Sequence, residues 1–245
     1  MTNSLMAGRR GLIMGVANDH SIAWGIAQQL HKHGAELAFT YQGEAFGKRV
    51  KPLAESVGSS TLLPCDVEDV GTVDAVFDTL KQKWGSIDFV VHAIAFSDKN
   101  ELKGMYADTT RENFIRTMVI SCFSFTEIAK RAAALMPNGG SLVTLTYGGS
   151  VRVMPNYNVM GVAKAALETS VKYLANDLGP KNIRVNALAP GTVDTDMVRA
   201  NSPEAQASMA AASPMKRAAD ADEMVGPALL LASDAGSFIT GQVIL

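Results

Sequence analysis

Two cysteines and four histidines leave this chain of 245 residues little to build several common chemistries from. Cys65 and Cys122 stand alone, too few for the disulfide framework of a small secreted scaffold. Neither they nor His20, His31, His33 and His92 fall at zinc-ligand spacing, so no metal site is expected. A basic arm is also missing. The formal net charge of −2 argues against an electrostatic nucleic-acid binder, and no nucleic-acid partner is expected. The opening Met-Thr-Asn-Ser-Leu-Met-Ala-Gly-Arg-Arg lacks the apolar centre of a signal peptide, and no apolar run approaches the ~20 residues of a membrane helix. These absences point to a soluble, cytoplasmic protein with no membrane partner.

What is present is an ordinary globular balance, 47% hydrophobic and 19% charged, in a chain long enough to bury a core without a staple. Short apolar runs at 10–16, 35–41, 60–64, 87–94, 141–146 and 183–189 read as strands. Between them lie segments with apolar spacing of three and four, such as Ile22, Ile26, Ala27 and Leu30, or Leu167, Val171, Leu174 and Leu178. Strands alternating with helices imply βαβ units, hence an α/β fold whose parallel sheet is covered by helices on both faces. Gly34 suits the left-handed residue that closes the first helix, and Gly179-Pro180 is expected to stop the helix ending near Leu178. No composition break marks a second domain, so residues 1–245 are read as one doubly wound unit. Residues 192–214, rich in Ala, Ser and Met and followed by a helix near 221–233, are read as a substrate lid at the carboxyl edge of the sheet. An ordinary surface connection is the competing reading.

The first strand runs through Gly15 into a turn that reaches Ser21 and Ile22, where a helix begins. Glycine permits a tight turn and close approach to a pyrophosphate, whose charge the helix N-terminus stabilises. The usual G-x-G-x-x-G is absent, since the next glycine is Gly25, and a turn without a ligand would use similar residues. The second strand ends at Gln42, where an acid favours NAD and a nearby arginine favours NADP. Gln42 can bond a ribose and offers no charge to a phosphate, while Lys48 and Arg49 follow on a helix, so NADH is preferred to NADPH. Asp66-Val67 either brackets the adenine or supplies Asp66 as a helix N-cap.

Tyr157 and Lys164 are seven residues apart, which on a helix places them on one face two turns apart. A nearby ammonium and a ribose hydroxyl would stabilise a phenolate and let the phenol donate a proton. The alternative is an amphipathic helix with one tyrosine and one exposed lysine. The turn Gly15…Ser21-Ile22, the segment His92-Ala93-Ile94-Ala95-Phe96 and Tyr157-x-x-Met160-x-x-x-Lys164, in that order, resemble bacterial enoyl-[acyl-carrier-protein] reductases of the short-chain dehydrogenase/reductase superfamily. The likeness runs from about Arg10 to Asn186.

That resemblance implies a single Rossmann-type domain of about seven strands that reduces the trans-2 double bond of enoyl thioesters in fatty-acid synthesis. It assigns Gly15, Ser21, Ile22, Gln42, Asp66, Val67 and Ile94 to NADH, with Lys164 on the nicotinamide ribose. Gly191, Val193 and Thr195 would contact the nicotinamide amide. Tyr157 would hydrogen-bond the thioester oxygen, and Ala95, Phe96, Tyr147 and Met160 would line the acyl site. The partner implied is an enoyl thioester carried by acyl carrier protein, and the assembly a homotetramer. Ketoreductases of the superfamily place Tyr four residues before Lys and Ser thirteen before that Tyr. Here those positions hold Met160 and Tyr147, which favours C=C over C=O reduction. After Asn186, the stretches Ala187–Met197 and Ala232–Gln242 look more like the ketoreductase branch, which puts substrate preference in question. The alternatives are therefore a 3-oxoacyl or other carbonyl reductase, or a cofactor-binding protein without turnover. The sequence ends at Val243-Ile244-Leu245, so a short last strand and weakened tetramer contacts are expected.

Overall fold

The computed structural model describes residues 4–199 and 203–245. Seven parallel strands form one sheet in the order β3-β2-β1-β4-β5-β6-β7. They are β1 (Arg10–Met14), β2 (Glu36–Tyr41), β3 (Leu62–Pro64), β4 (Phe89–His92), β5 (Gly140–Leu145), β6 (Ile183–Leu188) and β7 (Val243–Ile244). All six expected strands are present, five of them shorter by one to four residues and β5 shifted back by one residue at its expected length. The trimmed ends, such as Gly15 and residues 93–94, turn out of the sheet to face the crevice. β3 keeps three residues and ends on Pro64, which has no N–H to give a further neighbour and sits on an edge strand. β7 has two residues.

The helices are α1 (Ile22–Lys32), α2 (Gly43–Ser56), α3 (Val70–Trp84), α4 (Arg111–Met118), α5 (Ser124–Ala134), α6 (Asn158–Leu178), α7 (Asp196–Arg199), α8 (Pro203–Ala212) and α9 (Val225–Ala232). Alternation along the strands divides the core. Leu12, Met14, Val90 and Leu142 face α3, α5 and α6 through Val76, Phe77, Phe125, Ile128, Leu167 and Val171. Ile13, Phe39, Phe89 and Val91 face α1, α2 and α9 through Trp24, Ile26, Leu30, Val50 and Ala228. Burial on both faces explains why these strands read as unbroken apolar runs.

Gly34 does take a left-handed conformation after α1, with φ +100°. α6 ends at Leu178, as expected. Gly179 itself stays right-handed at φ −53°, the chain makes one tight turn over Gly179–Lys181, and Asn182 at φ +59° reverses it. The expected helix at 221–233 is a single tight turn, Ala221–Met224, followed by α9. A wide helical turn over Val119–Phe123 joins α4 to α5, a feature that no periodicity in the sequence announced. The strand order reverses between β1 and β4, so a crevice opens at their carboxyl ends.

Candidate active site

At the end of β1, Gly15 has φ +97°, and a Cβ there would lie 2.1 Å from the Ala93 carbonyl oxygen beyond β4. Backbone conformation and space both require glycine. The chain then loops to Ser21, whose hydroxyl accepts the N–H groups of Ala17 and Asn18 at 3.0 Å each. That hydroxyl closes the loop and makes no bond to the amides of α1, which begins at Ile22. Uncapped first-turn amides beside a tight glycine turn suit a phosphate. The Asn18 side chain reaches across to the Asp196 carboxylate, linking this loop to the segment after β6.

Further along the crevice, Gln42 donates to Asp66 at 2.9 Å. Asp66 also accepts the Glu68 N–H, and the cap of α3 is Asp69, which accepts the Gly71 N–H. The capping alternative for Asp66 is thereby corrected: it lies three residues too early, and its carboxylate serves the turn that holds buried Val67. Ile94 packs half-buried against the core below. Gly191 is exposed, Val193 is buried and pairs with Ala219, and the Thr195 carbonyl accepts the Arg199 N–H at the start of α7.

Tyr157 is not on the face of α6 but at its cap, immediately before Asn158. Asn156 and Asn158 on either side have φ +58° and +33°, conformations that cost energy for residues other than glycine. Asn158 is tied down by its side-chain N–H bonds to the carbonyls of Glu101 and Gly104 at 3.2 and 3.3 Å. The Tyr157 ring meets Tyr147 edge-on, with centroids 5.0 Å apart. Behind it the turn Gly148–Ser150 crosses α6 closely. A Cβ on Gly149 would fall 2.5 Å from the Tyr157 ring, and one on Gly161 would fall 2.8 Å from the Gly149 carbonyl oxygen.

Lys164 is 5% exposed and donates to the Leu145 carbonyl at 2.8 Å. Burial lowers its pKa to about 8, opposed by Cys122 and by Glu168 one turn further along α6. Glu168 accepts the Thr146 hydroxyl at 2.6 Å. Burial and the neighbouring Tyr147 raise the Tyr157 hydroxyl well above the usual phenol range. Desolvation dominates at Tyr157 and favours the neutral phenol, while the Lys164 ammonium gives one of its N–H bonds to the end of β5.

Ala95 and Phe96 are exposed, and Met160, in the first turn of α6, is buried. Ser121, in the wide turn, accepts the Phe96 N–H and donates to the Phe96 carbonyl, both at 3.0 Å, and lies 3.6 Å from the Met160 sulfur. His92 is fully buried between Thr144 at 3.2 Å and Ser124 at 2.9 Å, and burial drops its pKa to about 3, so it stays neutral. Ser121, Glu168 and the Gly149–Gly161 crossing were not picked out from sequence. A glycine inside an otherwise good helix was the one available signal, at Gly161. Among the described residues no group of three or more His, Cys, Asp or Glu could hold a metal ion, and no helix is long and apolar enough to cross a membrane.

Known proteins share this sequence and fold. A family described as Enoyl-(Acyl carrier protein) reductase matches residues 15–245, and so takes in the last quarter that had looked closer to the ketoreductase branch. Enoyl-[acyl-carrier-protein] reductase [NADH] 2 of Rhizobium meliloti is 65% identical over 244 residues, 98% of this chain and 91% of that protein. The crystal structure of FabI from Candidatus Liberibacter asiaticus superposes with a TM-score of 0.93 at 55% identity, covering 98% of this chain and 94% of the other. The enoyl-(acyl-carrier-protein) reductase of Anaplasma phagocytophilum, solved in complex with NAD, gives 0.93 at 53% identity, with 98% and 92% covered.

Proposed function

The chain belongs to the enoyl-[acyl-carrier-protein] reductase family, and from that premise we infer that it reduces the trans-2 double bond of enoyl thioesters with NADH in fatty-acid synthesis. The observation that carries the site assignment is the pairing of Tyr157 with Tyr147 above Met160, where carbonyl reducers would need Tyr and Ser.

The residues fit a dinucleotide. Gly15 and the uncapped start of α1 suit the pyrophosphate, with Ser21 and Ile22 framing it. Gln42, held by Asp66, presents a neutral amide to the adenosine ribose, and Val67 and Ile94 flank the adenine and the crevice floor. Lys164 has further N–H donors beyond the one given to Leu145, which suits the nicotinamide ribose. Gly191, Val193 and Thr195 complete the amide end of the site. When bound, NADH supplies the hydride that reaches the β-carbon.

Tyr157 remains protonated and donates a hydrogen bond to the thioester oxygen, where negative charge develops as the enolate forms. That oxygen lies three bonds from the β-carbon that accepts the hydride, against one bond in a carbonyl reduction. A donor three residues before Met160, one turn back along the chain, reaches this displaced oxygen. Tyr147 braces the Tyr157 ring, and Ala95, Phe96 and Met160 form the acyl wall. Residues 192–214, with α7 and α8, act as the lid. The exposed apolar side chains of Ile115, Phe123 and Tyr173 support assembly into a homotetramer, which light scattering tests. Acyl carrier protein presents the substrate, and a cytoplasmic setting suits this chemistry.

The assay is simple. NADH absorbance is expected to fall with crotonyl thioester and to remain steady with a 3-oxoacyl thioester. Loss with the oxo substrate alone would reverse the assignment, and cofactor binding without turnover would mark a non-catalytic binder.

A further inference from the structure

An unbroken line of contacts runs from the ribose end of the crevice to the acyl wall. Gln42 donates to one Asp66 oxygen at 2.9 Å, and the other Asp66 oxygen accepts the Glu68 N–H, also at 2.9 Å. The Glu68 carboxylate takes Nε of Arg116 at 3.0 and 3.1 Å and Nη2 at 2.8 Å. On its other side, the Arg116 guanidinium carbon lies 4.5 Å from the centroid of the Phe96 ring.

Each link restricts the next. A two-nitrogen bond to a carboxylate fixes the plane of a guanidinium, which a single-point ammonium cannot reproduce. A fixed guanidinium in turn covers one face of an aromatic ring. The Phe96 backbone is already pinned at both its N–H and its carbonyl by Ser121 in the wide turn, so the ring is the part of Phe96 left to be placed. Phe96 is 40% exposed as a residue, and Arg116 lies over its ring. An exposed ion pair such as Arg116–Glu68 adds little stability by itself, so its geometry matters more than its energy.

We propose that Arg116 is a positioning residue for the acyl site, holding the Phe96 ring in place while Glu68 fixes the guanidinium. The Asp66–Glu68 turn against the adenine end of the cofactor thereby communicates with the acyl wall. The proposal rests on the reading that Phe96 lines the acyl pocket.

Steady-state kinetics with NADH and crotonyl thioester test it on Arg116→Met, Arg116→Lys, Glu68→Gln and the Arg116→Met/Glu68→Gln double variant, with Phe96→Ala alongside. Each single substitution at 116 or 68 is expected to raise the acyl KM roughly two- to fivefold with kcat unchanged. The double variant should be no worse than the worse single one, as two members of one linkage behave. Should Arg116→Met fail to fold, Arg116→Lys and Glu68→Gln carry the same test. A lowered melting temperature with unchanged acyl KM would reduce Arg116 to a structural role and overturn the proposal. If Phe96→Ala raises the acyl KM while the 116 and 68 variants do not, the linkage alone fails. If Phe96→Ala leaves it unchanged, the placement of Phe96 fails and the proposal falls with it.

Discussion

The floor of the site and its cover are built on opposite principles. The floor is α6 against β5: Val159, Ala163, Leu167 and Val171 are fully buried, Lys164 is sealed against Leu145, and Gly149 and Gly161 bring two backbones into contact. The cover proposed above is residues 192–214. Its α8 has no buried side chain among its described residues, and its ties to the body include the Asn18–Asp196 bond and the pairing of Val193 with Ala219. A densely packed floor leaves Lys164 and the start of α6 little room to move, which suits the preorganised site proposed above. A cover with little buried surface opens at small cost, as substrate exchange requires. The proposal thus places chemistry in the well-packed region and access in the sparsely packed one.

The largest expected break in this contrast comes from the floor. Gly149→Ala forces a methyl group onto the Tyr157 ring, and a displaced donor should cost about a hundredfold in kcat with crotonyl thioester. NADH affinity, measured by fluorescence titration, should change little.

Lys164 gives the next effect, and it is set by pH. Burial lowers its pKa to about 8, so the ammonium is lost as pH rises through that value. If the charge is needed on the cofactor ribose, kcat/KM for NADH should fall about tenfold per pH unit above 8, and Lys164→Met should flatten the profile. The stability sign is opposite. A lysine titrating near 8 in the fold and near 10.5 when unfolded weakens the fold below pH 8, and that penalty is relieved between 8 and 10.5. Over that interval the wild-type melting temperature should therefore rise relative to that of Lys164→Met.

The smallest effect belongs to the cover. Asn18→Ala removes the bond to Asp196, and the KM for NADH should rise about three- to tenfold while kcat and the melting temperature hold. A fall in kcat as large as that of Gly149→Ala would erase the distinction between floor and cover.

Much of the floor was legible in the sequence, because it depends on periodicity and on residue types with one physical use. The apolar runs of β1 and β4 and the glycine turn at 15 survive into three dimensions. What was misread depends on neighbours distant in sequence. Tyr157 stands at the cap of α6 because Asn156 and Asn158 take left-handed conformations, stabilised by bonds from Asn158 to a loop more than fifty residues away. Asp66 was open between a helix cap and the adenine, and the cap falls to Asp69 while Gln42 engages Asp66. Ser121 was invisible because its role comes from a wide turn, and such turns leave no period to count. The cover was the least legible region, since α8, rich in alanine, has no strong apolar face for a pattern to reveal.

The central claim is that Tyr157 serves as a protonated donor to the oxygen of an enoyl thioester. The direct measurement is crotonyl-thioester reduction by Tyr157→Phe, with NADH affinity determined in parallel. The account predicts a loss of about a hundredfold in kcat with NADH affinity unchanged. Reduction at the wild-type rate would contradict it.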